Sequence, residues 1–379
     1  MRIIADENIP YAVEAYSTLG DVSLAPGRGI TREMLTGADA LVVRSITKVN
    51  AALLDGTPVQ FVGTCTIGED HIDKAYLASR GIAFSSAPGC NANSVGQYIV
   101  ATLLHLAEKH GFAPRGTRLG IVGVGNVGKR VYFQARALGF DCILNDPPLA
   151  EATGDPLYRP IEEVLDCDIV TFHVPLEKGG LHPTRHLVDE AFLDRMRDGA
   201  LLINSSRGAV VDNQALKRAL FAGKLRGAVL DVWEGEPNVD PELLERVDLG
   251  TPHIAGYSFE GKVNSTRQIL EALCAHFGAA SAWDHAVVLP PPPVPEVVVD
   301  GASRTGVADA VRRVYDIRND DAAMRRVLEL PEVERGPYFD RLRKEYPVRR
   351  EFFNTRATVT PMNGAMEAVL RGIGFEVFR

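Results

Sequence analysis

The chain has 379 residues, 46% hydrophobic and 24% charged, long enough for two or three domains with substantial cores. A formal net charge of −8 excludes a global field that would draw nucleic acid or an anionic membrane surface, so an anionic ligand must be captured by local arginines and backbone amides. Five scattered cysteines without C-x-x-C spacing argue for a reducing compartment and no metal site. Met1 to Glu7 shows no signal-peptide pattern, and no apolar run approaches the ~20 residues of a membrane span, so a cytoplasmic protein is expected.

In chain order, the first ninety residues alternate short apolar strands with helical segments. The strands are expected at Arg2–Ala5, Val22–Ala25, Ala40–Val43, Val59–Gly63 and Ile82–Ser85. Helical character falls between them, at Tyr11–Leu19, Thr31–Leu35, Asn50–Leu54 and Asp70–Arg80. This βα repetition predicts a parallel sheet covered on both faces. A long helix from about Ser94 to His110 then leads into the most informative stretch, Leu119 to Gly128.

That stretch reads as an apolar strand entering a G-x-G-x-x-G turn that opens a helix. Gly123 permits the tight turn, Gly125 lets backbone approach a pyrophosphate, and Gly128 lets the helix pack against the strand. Val127, Val131, Ala135 and Leu138 form the helix's apolar stripe, and its free N-terminal amides suit phosphate. The next strand ends at Asp146, 146 − 128 = 18 residues after the last glycine. A carboxylate there binds ribose hydroxyls and repels a 2′-phosphate, favouring NAD over NADP. Further strands are expected at Asp141–Asn145, Asp168–Phe172, Ala200–Asn204, Gly227–Val232 and Asp248–Thr251. With Leu119–Gly123 they make the six of a complete dinucleotide-binding sheet.

A second helical stretch, about Ser258 to Phe277, could pack back on the first domain. Two βα domains joined by two helical crossings imply a cleft between them. Five prolines within Pro290 to Pro295 mark a boundary. Beyond it, strands are expected at Glu296–Val299 and Arg356–Val359, and helices at Gly306–Val314, Asp321–Leu330 and Asn363–Arg371. This region has no catalytic constellation, so assembly or a structural cap is its expected role.

Three polar clusters follow strands, where ligands bind in open parallel sheets. Asn204 to Gly208 offers Arg207, whose guanidinium can clamp a carboxylate bidentately. Leu230 to Pro237 offers Asp231 and Glu236, and Thr251 to Tyr257 offers His253. Oxidising a secondary alcohol needs a hydride acceptor, a base for the hydroxyl proton and a cation to orient a carboxylate. Histidine suits the base, and a neighbouring carboxylate fixes its tautomer and stabilises imidazolium. Arg207, Glu236 and His253 supply one group of each type.

With these motifs the chain resembles the D-isomer-specific 2-hydroxyacid dehydrogenases over about Met1 to Phe277. The resemblance rests on the glycine turn, Asp146, His173-Val174-Pro175-Leu176, Asn204 to Gly208, Leu230 to Val232, Glu236-Pro237 and Pro252-His253. It implies an α/β fold of two Rossmann- or flavodoxin-like parallel-sheet domains flanking a cleft, plus a C-terminal α+β dimerisation domain. The expected boundaries are 1–93 with 254–285 for substrate, 94–253 for NAD, and 286–379 for dimerisation. By resemblance Arg207 binds the substrate carboxylate and carbonyl, His253 is the acid/base, and Glu236 pairs with it. NAD contacts are implied at Gly123, Gly125, Asn126, Val127, Gly128, Asp146, Val174, Ser206, Arg207, Asp231 and Gly256. Asp231 falls near the nicotinamide carboxamide and Val174 near the adenine.

The family's early glycine-valine-glycine motif here reads Gly63-Thr64-Cys65-Thr66-Ile67-Gly68. The threonine hydroxyls suggest extra hydrogen bonds to a more hydroxylated substrate. The resemblance implies a small phosphorylated 2-hydroxy acid as the ligand, with substrate contacts at Ser45, Thr66 and Tyr257. Arg44, Lys48, Arg349 and Arg350 are candidates for its phosphate, Arg44 first among them because it follows a strand. The segment including Tyr346 to Phe352 resembles a dimerisation extension, which implies a homodimer, with no nucleic acid or membrane partner. Two alternatives stay open at this point. One is a relative acting on glycerate or 3-phosphoglycerate, the other an NAD-sensing corepressor, which the intact Arg, Glu and His set disfavours.

Overall fold

A computed structural model describes residues 1–281, 283–284 and 289–378. The chain divides into two compact units, one of Met1–Asn91 with Ser258–Pro291 and one of Ala92–Tyr257 with Pro292–Arg379. The expected boundary between 285 and 286 lies outside the described residues.

The first unit is built on five parallel strands, β1 (Arg2–Asp6), β2 (Asp21–Ala25), β3 (Ala40–Val43), β4 (Phe61–Thr64) and β5 (Ala83–Ser85), in the order β2-β1-β3-β4-β5. β3, Ala-Leu-Val-Val, is buried along its whole length, as a strand covered on both faces must be. The helix Phe259–Phe277 belongs to this unit and seats Ile269, Leu270 and Leu273 against Ile3, Ala5, Ala40, Val42 and Phe61. Gly63 makes that packing possible, since a Cβ there would lie 2.6 Å from Ile269 Cγ2. Thr31–Leu35, expected to be helical, forms only a 3₁₀ turn at Glu33–Leu35.

The second unit carries six parallel strands, β6 (Arg118–Val122), β7 (Asp141–Asn145), β8 (Ile169–Phe172), β9 (Ala200–Asn204), β10 (Leu225–Leu230) and β11 (Leu249–Gly250). Their order is β11-β10-β9-β8-β6-β7. An isolated parallel bridge between Leu144 and Tyr158 extends the sheet beyond β7, restoring the position of the third strand of a dinucleotide-binding sheet. The chain reverses its winding beside β6, so the strand ends there open onto the crevice where such sheets take ligands.

Beyond Pro292 a three-stranded parallel sheet forms from β12 (Glu296–Asp300), β13 (Arg356–Thr360) and β14 (Glu376–Phe378). It shares its core with the larger sheet: Val297, Val299, Ala357, Leu370 and Ile373 join the cluster around Leu119 and Ile121. Met324, Val327, Tyr338 and Phe339 join the cluster on the other face. That shared apolar packing is why this segment belongs to the second unit.

The helix expected at Asp321–Leu330 runs instead from Ile317 to Arg325, where Asp316 Oδ1 caps Arg318 N–H, and ends in a 3₁₀ turn at Arg326–Glu329. The sequence reading missed the helix Glu332–Lys344, whose interior holds Pro337 and whose apolar stripe is short. Among the described residues no helix is long and apolar enough to cross a membrane.

Candidate active site

The glycine turn divides its three tasks among three different surroundings. Gly123 has φ +85°, and a Cβ there would strike the His173 carbonyl oxygen at 2.7 Å and Val174 Cγ1 at 2.7 Å. A Cβ on Gly128 would lie 2.0 Å from the Gly123 carbonyl oxygen, so this residue closes the helix Asn126–Leu138 onto the turn. At Gly125, the N-cap of that helix, a Cβ would meet nothing within 4 Å. Packing therefore explains the first and third glycines, whereas Gly125 leaves a cradle open beside the helix's unpaired N–H groups. Asn126 and Val127 open that helix. Asp146 accepts the Val124 N–H at 2.7 Å through Oδ2 and the Leu149 N–H at 3.0 Å through Oδ1. Its carboxylate is fixed at the rim of the turn, and each oxygen keeps a second lone pair for a ribose hydroxyl.

The Arg207 loop is organised by Asn204 at the end of β9. The Asn204 amide oxygen accepts Ser206 N–H at 3.1 Å and Ser206 Oγ–H at 2.8 Å, and its amide nitrogen donates to Arg207 O at 2.9 Å. Arg207 Nη1 donates to Ser206 O at 2.7 Å. Directly afterwards, a Cβ on Gly208 would lie 2.0 Å from the Trp233 carbonyl oxygen. That close approach brings the arginine loop against the loop that carries Glu236.

Glu236 and His253 meet in the next layer. His253 Nδ1 lies 2.8 Å from Glu236 Oε2, and Glu236 Oε1 accepts the Trp233 N–H at 2.8 Å. Burial raises the Glu236 pKa, but the His253 charge and hydrogen bond, the Trp233 N–H and Arg343 outweigh it and hold the carboxyl below its ordinary value. An ionised carboxylate only accepts, so Nδ1 of a neutral His253 carries the proton and Nε2 presents the lone pair. His253 itself sits at φ +58°, a conformation that non-glycine residues seldom adopt.

What holds that strained backbone is Asp231, which closes β10 and is buried. Its carbonyl accepts the His253 N–H at 2.7 Å. Its carboxylate accepts Thr251 Oγ1–H at 2.7 Å, Ile254 N–H at 2.8 Å and Ala255 N–H at 3.0 Å. Trp233 Nε1 donates to Thr251 O at 3.0 Å, tying the glutamate loop to the histidine loop. Arg207, Glu236 and His253 thus lie on loops bound to one another, with Asp231 beneath them.

The C-terminal segment reaches the same loop, which the sequence reading missed. Tyr257 lies edge-on to Tyr346 with centroids 5.8 Å apart, and Arg343 Cζ stands 5.7 Å from the Tyr257 ring centre. Arg349, expected as a phosphate candidate, is buried: Nη2 donates to Ser94 Oγ and to Ala255 O, and the guanidinium covers Tyr315. Arg350 Nη2 donates to Asn354 Oδ1 at 2.8 Å. These two arginines hold the fold together. Nothing in the local sequence pattern separated Arg349 from Arg343, because the burial of Arg349 depends on a contact made across more than ninety residues.

In the first unit, Arg44 and the exposed Ser45 follow β3, and Arg44 Nη1 donates to Asn8 O at 3.3 Å. The exposed Lys48 follows them in the same loop. Thr66 Oγ1 donates to Gly68 O at 2.8 Å and lies 2.7 Å from Thr64 Oγ1, which is 3.0 Å from His71 Nε2. The threonine hydroxyls therefore brace their own turn, and Thr66 Oγ1 keeps only an acceptor role towards a ligand. The N–H groups of Thr66, Ile67 and Gly68 donate to no carbonyl among the described backbone bonds.

Comparison with known proteins agrees with this geometry. Residues 100–255 match the D-isomer specific 2-hydroxyacid dehydrogenase NAD binding domain, and residues 288–374 match a domain of unknown function. Erythronate-4-phosphate dehydrogenase from Yersinia pestis (strain Pestoides F) is 48% identical over 354 residues, covering 93% of each chain. A glyoxylate reductase from Paecilomyes thermophila superposes with a TM-score of 0.62 at 28% identity, covering 74% of this chain and 98% of that one. D-lactate dehydrogenase from Aquifex aeolicus, solved with NAD and lactic acid, gives 0.59 at 25% identity, over 73% of this chain and 95% of that one. The chain belongs to the D-isomer-specific 2-hydroxyacid dehydrogenase family. It is an NAD-dependent dehydrogenase, and the open cradle at Gly125 with the anchored Asp146 fits that cofactor.

Proposed function

We propose that this enzyme oxidises 4-phospho-D-erythronate at C2 to 2-oxo-3-hydroxy-4-phosphobutanoate. The relative from Yersinia pestis supports the substrate, and the contact between His253 and Glu236 beside the Arg207 loop carries the chemistry. NAD, when bound, would supply the acceptor for the C2 hydride. Every other step falls to side chains of the chain itself.

Arg207 clamps the C1 carboxylate through its planar fork, and the N–H groups at Thr66 to Gly68 offer a second anion contact. Neutral His253 takes the C2 hydroxyl proton at Nε2. Glu236 stabilises the imidazolium that results and keeps the ring in the tautomer that can act as base. Asp231 holds the histidine loop, so the base enters each cycle already oriented. For the cofactor, Gly125, Asn126, Val127 and Ser206 would receive phosphate, Asp146 the ribose, Val174 the adenine side, and Asp231 and Gly256 the nicotinamide side. Ser45 and Tyr257 complete the substrate contacts in this reading.

We further infer a role in pyridoxine biosynthesis, in the cytoplasm. A homodimer formed through the C-terminal segment is supported by its sheet, which buries one face and exposes Val298 and Phe378 on the other. Sedimentation at micromolar protein should give twice the chain mass. A monomer there would count against the dimer.

Initial rates with 4-phospho-D-erythronate, D-glycerate and 3-phosphoglycerate test the substrate, with a 2-oxoacid present to reoxidise any NADH that stays bound. The highest kcat/KM should belong to 4-phospho-D-erythronate. A higher value for 3-phosphoglycerate would overturn the assignment.

A further inference from the structure

A four-carbon acid bearing a carboxylate at one end and a phosphate at the other needs two cationic contacts, and Arg207 accounts for one. Arg349 is sealed against Ser94, Ala255 and Tyr315, although its Nη1 also lacks a partner, and Arg350 donates to Asn354. Arg343 is placed differently. It comes from the last turn of the helix Glu332–Lys344 and lies over Tyr257, the residue that closes the histidine loop. Its Nε is buried without a hydrogen-bond partner, while the side chain as a whole stays partly accessible. Among the described residues no carboxylate forms an ion pair with it, whereas the comparably half-exposed Arg325 pairs with Asp321 at 2.8 Å.

Such an arginine is costly to keep unless something anionic completes it. Burial works against its charge, but the hydrogen bond and charge of Tyr257 and the carboxylates of Glu236 and Asp231 more than offset this and keep the guanidinium protonated. The same carboxylates show that Arg343 stands within electrostatic reach of the reacting group without touching it. The accessible part of this planar guanidinium suits phosphate oxygens.

We infer that Arg343 binds the phosphate of the substrate, so that the C-terminal segment supplies a specificity-determining residue to the active site of its own chain. The inference rests on the proposed reaction, because it needs a phosphorylated 2-hydroxy acid. It moves the phosphate contact away from Arg349 and Arg350. It also gives the segment matched by a domain of unknown function a task in recognition besides assembly.

The test compares 4-phospho-D-erythronate with unphosphorylated D-erythronate in the wild type, Arg343→Ala and Arg343→Lys, with inorganic phosphate as a competitive inhibitor of each. Arg343→Ala should lose about a hundredfold in kcat/KM for the phosphorylated acid, chiefly through KM, as expected for a lost charged bidentate contact. Its kcat/KM for D-erythronate should change less than about threefold, and phosphate should inhibit it far more weakly. Arg343→Lys should recover part of both effects, and it decides the matter alone if Arg343→Ala does not fold. Equal losses for the two acids, or undiminished phosphate inhibition, would assign Arg343 a packing role and overturn the inference. A wild type without preference for the phosphorylated acid would overturn the proposed reaction itself, and Arg343's role with it.

Discussion

Glu236 holds His253 through a single contact, Oε2 to Nδ1 at 2.8 Å, while its other oxygen accepts the N–H of Trp233 three residues earlier in its own loop. The carboxylate is therefore both the partner of the base and the clasp of the turn that presents it. Since it is held below the ordinary glutamate value, it stays ionised well into acid.

Glu236→Gln keeps the shape and removes the charge. Its kcat should fall by about 10² or more, with NADH affinity close to wild type. A depressed carboxyl pKa contributes stability that is fully present above the unfolded value of 4.5 and is lost as pH falls through the lowered folded value. The melting-temperature gap between wild type and Glu236→Gln should thus be widest above pH 4.5 and shrink in stronger acid. A gap that widens on acidification would contradict this sign.

Asp231→Asn tests the support beneath the base. Three donors converge on the carboxylate, from Thr251 Oγ1, Ile254 N and Ala255 N. An amide in its place turns one accepting oxygen into a donor that faces another donor. The cost should be about 1–3 kcal/mol of stability, read by denaturant unfolding, together with a lower kcat. Wild-type stability would show that the loop has another anchor.

Gly125→Ala and Gly128→Ala separate cofactor binding from packing. Alanine at 128 collides with the Gly123 carbonyl and should lower the melting temperature by several degrees. Alanine at 125 enters open space, so the protein should fold with little loss while its NADH affinity drops roughly tenfold or more. Titration of NADH fluorescence reads the second effect. Unchanged affinity in Gly125→Ala would remove the pyrophosphate from that cradle.

His173 gives a second signature in acid. Burial pushes its pKa down to about 3, and its Nε2 pairs with Thr171 Oγ1 at 3.0 Å. Between pH 6.5 and about 3 the unfolded chain takes up a proton that the folded chain refuses, so stability falls as pH falls through that window. His173→Gln cannot charge, and its stability should decline less steeply there. An identical decline in both proteins would mean that His173 is protonated in the fold.

The sequence made the fold legible wherever one pattern decided the outcome. β3, β7 and β9 match their expected bounds, and β3 and β9 do so because their runs of four apolar residues are buried strands. The helix Gly306–Val314 matches as well, through its strong amphipathic period. The helix Glu332–Lys344 stayed hidden because Gly336 and Pro337 interrupt it and only Gly336, Tyr338 and Phe339 are buried, and that helix carries Arg343. For the site, residue type and motif order pointed to Arg207, Glu236 and His253. Hydrogen-bond ownership could not be read the same way. Whether a threonine hydroxyl serves a substrate or its own turn, and whether Arg349 is exposed or sealed over Tyr315, depends on neighbours that only the folded chain supplies.

The most direct measurement is the initial rate of 4-phospho-D-erythronate oxidation by His253→Ala beside the wild type, with NADH binding measured on the same samples. The account predicts a loss of about 10² to 10⁴ in kcat while NADH still binds with near wild-type affinity. Turnover at the wild-type rate in a variant lacking the imidazole would contradict it.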